Sequence, residues 1–261
     1  MHWSLPELIH RQYLPLLGDE FLTRCKRTLD ETGALVLPGF LTPAAIESIQ
    51  RDGEANRHLA YYTVDKHNVY LKPPDPSFPP EHPRNRQVSS SKGCITTDQI
   101  PAASALHALY EAPTFRDFVR TVLGEAELHA YADNLSSVNL HFAAKGQELG
   151  WHFDNSSFAI TLLIQKPERG GAFEYVKDLR DADRGELNFD GCVAVLDGDA
   201  SVQTLTMDAG TLVLFRGRNS MHRVTPVEGA RGRMLAVLAY NTKPGISLSE
   251  SARLTFYGRL G

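Results

Sequence analysis

Cysteine, long apolar runs and surplus positive charge are all scarce in this chain of 261 residues. Cys25, Cys94 and Cys192 are odd in number, far apart and in no metal-binding spacing. That excludes a disulfide scaffold and predicts reduced thiols in a cytoplasmic protein. No apolar run approaches the roughly 20 residues that span a bilayer, so no membrane partner is expected. Between Met1 and Gln12, Pro6, Glu7 and His10 interrupt what a secretion signal would keep apolar. The net charge of −4 disfavours nucleic acid as a bulk partner. No internal repeat or low-complexity tail is present. What remains is an ordinary globular composition, 42% hydrophobic and 22% charged, in a length that suits a single large domain over residues 1–261.

The first 125 residues read mostly as helical support. Apolar residues at helical spacing run from Leu5 to Glu31 and stop at Gly33; Ala34 to Leu37 is a short strand. Thr42-Pro43 supplies an N-cap and a first-turn proline for a helix to about Arg57. Another helical block spans Ala102 to Leu123. Between them, residues 73–86 hold six prolines, too many for a helix or an inner strand, and predict a stiff surface loop or a lid. From residue 126 the period changes to two. Strands are predicted at Ser137–Phe142, Phe158–Ile164, Ala172–Val176, Cys192–Leu196, Val202–Leu205, Thr211–Phe215, His222–Val224 and Met234–Tyr240. Many short strands at regular spacing make 126–261 a sandwich or barrel. The fold class is therefore mainly β with helices, α+β.

One triplet carries the chemistry. His152-Phe153-Asp154 is weak alone, because chance supplies an H-x-D triplet in about every second chain of this composition. Its setting strengthens it. Positions i and i+2 of an extended segment point the same way, so His152 and Asp154 can chelate one ion. His222 lies on the way into a late strand that a jelly roll can return beside an early one. Two imidazoles and a carboxylate on one face leave half of an octahedral iron(II) ion open. Arg231 and Arg233 follow His222 by nine and eleven residues, and strand alternation aims both to the same side. An inward guanidinium is costly unless an anion meets it. The far carboxylate of a dicarboxylic co-substrate fits its planar fork; a salt bridge to Asp208 or Glu228 is the alternative.

From Trp151 to Tyr240, the order His-x-Asp, distal His, Arg resembles the iron(II)/2-oxoglutarate-dependent dioxygenase superfamily. The stretches Gly170–Val176 and Leu212–Val227 are also similar to a bacterial branch that hydroxylates or chlorinates free amino acids. The resemblance implies a double-stranded β-helix (jelly roll, cupin-like) as the catalytic core at 126–261. It implies His152, Asp154 and His222 as catalytic ligands of Fe(II), with Arg233, or its rival Arg231, on 2-oxoglutarate, and O2 as the oxidant. In chlorinating members a small residue replaces the carboxylate; here Asp154 fills that place, which favours hydroxylation.

The expected activity is oxidation of an unactivated C–H bond in a small amino-acid-like molecule, with succinate and CO2 as co-products. Desaturation or cyclisation would use the same site. A metal-dependent cupin-like isomerase or lyase, or a non-catalytic binding protein, are the alternatives outside this class. Candidate substrate residues are Asn139 and His141, which share a strand face with Ser137, then Trp151 and Asn155 beside the ligands, and Arg84 and Arg86 after the proline-rich segment. The face holding Asn139 and His141 reads equally well as a solvent-exposed one. Asn155 or Ser156 is expected to orient the ligands. His2, His10, His58, His67, His82 and His107 read as structural or surface residues. The expected partner is a free amino acid or derivative, and a homodimer is compatible with this composition.

Overall fold

The computed structural model describes residues 3–261; His2 lies outside them. Seven α-helices are present among the described residues: α1 (Leu5–Leu8), α2 (Asp19–Thr32), α3 (Pro43–Asn56), α4 (Ala105–Glu111), α5 (Pro113–Leu123), α6 (Phe189–Asp197) and α7 (Glu250–Tyr257). The strands are β1 (Ala34–Leu37), β2 (Tyr61–His67), β3 (Val88–Ile95), β4 (Val138–Ala143), β5 (Leu149–His152), β6 (Ala159–Gln165) and β7 (Arg169–Gly170), then β8 (Phe173–Val176), β9 (Gln203–Leu205), β10 (Leu212–Phe215), β11 (Met221–Val224), β12 (Val227–Glu228) and β13 (Arg233–Leu238). No helix among the described residues is long and apolar enough to cross a membrane.

Eleven strands form one antiparallel sheet in the order β1-β10-β6-β13-β4-β3-β5-β11-β8-β9, with β2 added outside β3. The sheet curls back on itself. Phe173 and Tyr175 of β8 meet Phe215 of β10 across the interior, with ring centroids 4.9 and 5.3 Å apart. This is the α+β jelly roll expected from the pattern.

Period-two alternation gives each strand two destinations. On β13, Met234, Ala236 and Leu238 face the helices, while Leu235 joins Phe215, Tyr175 and Val213 inside the roll. Val138, Leu140 and Phe142 of β4 likewise pack against the helical layer with Phe115 and Phe118 of α5. Burying one such ring completely is worth about 1.5–3 kcal/mol, so this layer fixes which face of the sheet points inward. The helices start where capping chemistry directs. The Thr42 hydroxyl accepts from the Ala45 N–H at the start of α3, and the 102–123 block divides at Pro113, the first residue of α5.

Two expectations need correcting. Residues 192–196 are helical, within α6, although Val193, Ala194 and Val195 read as a strand. The Asn188 side chain caps the helix by accepting from the Gly191 N–H, and left-handed Gly198 closes it. Cys192 and Val195, three apart, then share the buried face. Residues 61–67 and 88–95, unassigned in the sequence, form a paired hairpin with seven matched positions. The proline-rich segment is the surface loop of the two readings given for it: it packs outside the roll, with Phe78 and His82 against Phe189 of α6, and the Asn85 amide binds it internally through the Asp75 and Phe78 carbonyls.

Candidate metal centre

Strand pairing brings the two distant imidazoles together. His152, at the end of β5, is the Cα partner of His222 on β11, beside a shift in register. Asp154 follows two residues later, where its N–H donates to the Gly217 carbonyl (3.0 Å). The Asp154 carboxylate oxygen Oδ1 then stands 3.8 Å from His152 Nε2 and 3.5 Å from His222 Nε2. One ligand atom from each of the three lies within 4.8 Å of the others.

The ring tautomers are set by the main chain. His152 Nδ1 lies 2.7 Å from the Gly150 carbonyl, and His222 Nδ1 lies 3.0 Å from the Ser220 carbonyl. A carbonyl only accepts, so each Nδ1 carries a hydrogen and each Nε2 is the ring nitrogen available to an ion. Burial, reinforced by His222, pushes His152 down to about 3. Burial pushes the Asp154 carboxyl the other way, but His222, His152 and Lys92 outweigh it and hold it below the usual carboxylate range. Two imidazole nitrogens and a carboxylate make a donor set for a divalent ion. The orientation expected of Asn155 or Ser156 comes instead from backbone carbonyls and from Gly217. A Cβ added at Gly217 would overlap the Asp154 carboxylate, 2.7 Å from Cγ.

In front of these side chains the roll encloses a cavity of about 220 Å³. Phe173, Phe215, Val213 and Leu235 supply apolar wall; Lys92, His141, Thr161 and Arg233 are polar. Arg233 is buried and its Nε has no hydrogen-bond partner. Burial pulls its pKa down to about 10. Neither intramolecular acid considered for it is used: Asp208 pairs with Lys166 (2.7 Å) and Glu228 with Arg169 (3.6 Å). Arg231 lies outside the cavity, exposed, with its Nε donating to the Lys166 carbonyl. The expected common side fails because β13 begins only at Arg233. An orphaned, buried guanidinium in the same cavity as three metal donors fits a carboxylate-bearing co-substrate.

The other candidates scatter. His141 lines the cavity. Asn139 borders an adjoining chamber, its amide donating to the Leu135 and Val138 carbonyls while Oδ1 accepts from the Tyr257 hydroxyl. The Trp151 side chain packs on the opposite face of β5, within a cluster that includes Tyr70 and Met221, with the Arg223 guanidinium 4.7 Å above its ring. Asn155 is exposed, and its carbonyl accepts from Arg218. Arg84 donates to the Pro73 carbonyl, and Arg86 pairs with Asp197 at the end of α6, away from the cavity. His67, read as an ordinary histidine, instead lines a chamber beside His152, its ring 6.0 Å away. Lys92 and Gly217 were not singled out. Lys92 lies on the unassigned β3, and a glycine made necessary by a neighbouring side chain leaves no local signal.

The profile of the family described as Halogenase D matches residues 18–254. No curated protein matches the chain. Among solved structures, a non-heme α-ketoglutarate-dependent carbocyclase, SnoK from nogalamycin biosynthesis, is similar at 12% identity, with a TM-score of 0.60 and 91% of each chain covered. An oxidoreductase of the 2OG-Fe(II) oxygenase family from Burkholderia pseudomallei is similar at 14% identity and TM-score 0.54, covering 88% of this chain and 95% of that one. HygX from Streptomyces hygroscopicus, solved with nickel and 2-oxoglutarate bound, is 20% identical at TM-score 0.54, covering 89% and 90% respectively. At these identities the likeness bears on the fold.

Proposed function

The chain belongs to the Halogenase D family, within the iron(II)/2-oxoglutarate oxygenases, and on that premise we propose that it hydroxylates an unactivated C–H bond of a small amino-acid-like molecule. One observation carries the choice of hydroxylation: the third donor beside His152 and His222 is the Asp154 carboxylate. An inner-shell carboxylate leaves no place there for a halide. Iron bound at this site, with 2-oxoglutarate and O2, supplies C–H oxidation and releases succinate and CO2.

The protein's own part is to hold and to exclude. His152, His222 and Asp154 hold the ion on one side. Arg233 takes the distal carboxylate of 2-oxoglutarate in its fork, which supplies the anion that its buried charge lacks. Phe173, Phe215, Val213 and Leu235 keep bulk water from the reacting side of the cavity. The partners in this reading are small molecules, and the whole chain acts as one oxygenase domain. The orphaned Arg233 weighs against an isomerase or lyase that has no use for a dicarboxylate.

The test is anaerobic titration of iron(II) and 2-oxoglutarate into metal-free protein. A weak visible charge-transfer band saturating at one equivalent is expected, followed by succinate release on addition of the right amino acid. No band, and no succinate across an amino-acid panel in air, would end this reading.

A further inference from the structure

Arg233 is not the only cation facing the interior. Lys92 of β3 sits opposite Thr63 of β2, and two residues along β3, on the same face, Cys94 pairs with His141 of β4. Lys92 and His141 are therefore diagonal neighbours on the inward face of the sheet. The ammonium lies 3.3 and 3.4 Å from the two nitrogens of the His141 ring. Burial first, then Lys92 and Arg233, hold that imidazole well below its usual range, so it is a neutral acceptor. A neutral ring takes one N–H and brings no negative charge of its own. Among the described residues no carboxylate comes within the 4.0 Å of an ion pair with Lys92; Asp154 in the same cavity and Asp65 in the adjoining chamber stay beyond it.

Position adds to charge. Lys92 lines the inner cavity of about 220 Å³, the chamber of about 230 Å³ bordered by Asn139 and Tyr257, and the chamber of about 150 Å³ bordered by Asp65 and His67. It stands where all three meet. His152 lines both the inner cavity and the smallest chamber, so a molecule seated at this junction is beside the ligand cluster. With Arg233 given to 2-oxoglutarate, Lys92 still has no carboxylate in ion-pair contact; Asp154 and Asp65 act on it only from farther away.

We propose that Lys92 is a specificity-determining residue that pairs with a carboxylate of the primary substrate, His141 holding its ammonium at the junction of the three cavities. The inference rests on the oxygenase reading, because that reading assigns 2-oxoglutarate to Arg233 and leaves Lys92 to the substrate. An ammonium here favours a substrate carboxylate over its neutral amide, since removing the charge leaves the half-buried cation without an ion-pair partner.

The test compares binding of a panel of L-amino acids and simple monocarboxylic acids with their carboxamides. Anaerobic calorimetry is run on the protein loaded with iron(II) and 2-oxoglutarate, and separately on the metal-free protein. The loaded wild type should bind at least one acid about 10- to 100-fold more tightly than its amide. Lys92→Met should bring that ratio near one, and Lys92→Arg should keep most of it. Both variants should retain 2-oxoglutarate affinity within about threefold, read from the charge-transfer band, which also reports an intact site. The proposal is overturned if the wild type prefers no acid over its amide. It is equally overturned if Lys92→Met weakens 2-oxoglutarate while the acid preference persists. Failure of the oxygenase reading looks different: no charge-transfer band in the wild type, while the calorimetric ratio on metal-free protein still reports on Lys92.

Discussion

Replacing Gly217 with alanine should loosen the metal site without touching a ligand. An added Cβ would fall on the Asp154 carboxylate, 2.7 Å from Cγ and 3.1 Å from Cβ. Comfortable carbon–carbon contact begins near 3.5 Å, so the carboxyl group must retreat by about 1 Å. Its path is constrained, because the Asp154 N–H is tied to the Gly217 carbonyl. Metal–ligand distances tolerate displacements of only about 0.2 Å. The expected loss in iron(II) affinity is about 10- to 100-fold, or about 1.4–2.8 kcal/mol, the range found when groups that orient ligands are removed. Anaerobic competition against a chromophoric chelator measures the affinity, and a thermal melt of the metal-free protein controls for folding. An unchanged iron affinity in Gly217→Ala would refute the argument that this glycine places the carboxylate.

Arg233→Met should weaken 2-oxoglutarate about 10- to 100-fold yet raise the melting temperature of the metal-free protein, because an unpaired buried cation is removed; co-substrate titration beside a melt checks both signs, and unaltered 2-oxoglutarate affinity would refute the assignment. Acid should destabilise the metal-free protein. Burial keeps His141 well below the histidine range and His152 near 3, whereas the unfolded chain protonates both near pH 6.5. Stability is thus full above about pH 7 and falls as pH drops through 6.5, by about 1.4 kcal/mol per unit for each ring. Calorimetric melts from pH 7.5 to 5 test this, with His141→Gln expected to remove about half the slope; a flat profile would contradict it. Arg86→Ala should leave succinate release within about twofold of wild type and cost at most about 1 kcal/mol of stability, since its partner is the partly exposed Asp197; a collapse in turnover would return Arg86 to the substrate site.

Local chemistry that writes itself into adjacent residues was readable from the chain. Thr42-Pro43 announced α3, and strict alternation on β4 and β13 announced which residues face the helices. That His152 and Asp154 converge was readable for the same reason, since i and i+2 share a face in any extended segment. Features that depend on distant neighbours were hidden. The β2 strand shows Val64 and Lys66 to solvent and so has no apolar stripe, and about 20 residues separate it from β3. Missing that hairpin meant missing Lys92. In α6, β-branched side chains argued for a strand, and the decision fell to capping groups at Asn188 and Gly198. Arg231 and Arg233 could not be separated by alternation, because the strand begins between them.

Each imidazole of the His152–Asp154–His222 cluster takes its tautomer from a peptide carbonyl two positions earlier on its own chain segment, Gly150 for one and Ser220 for the other. No side-chain substitution deletes a peptide carbonyl. The residues that shape the substrate chambers can therefore be exchanged widely while both nitrogens stay presented to the ion. The presentation of the two imidazoles is written in the backbone, and the shape of the substrate chambers in the groups that hang from it.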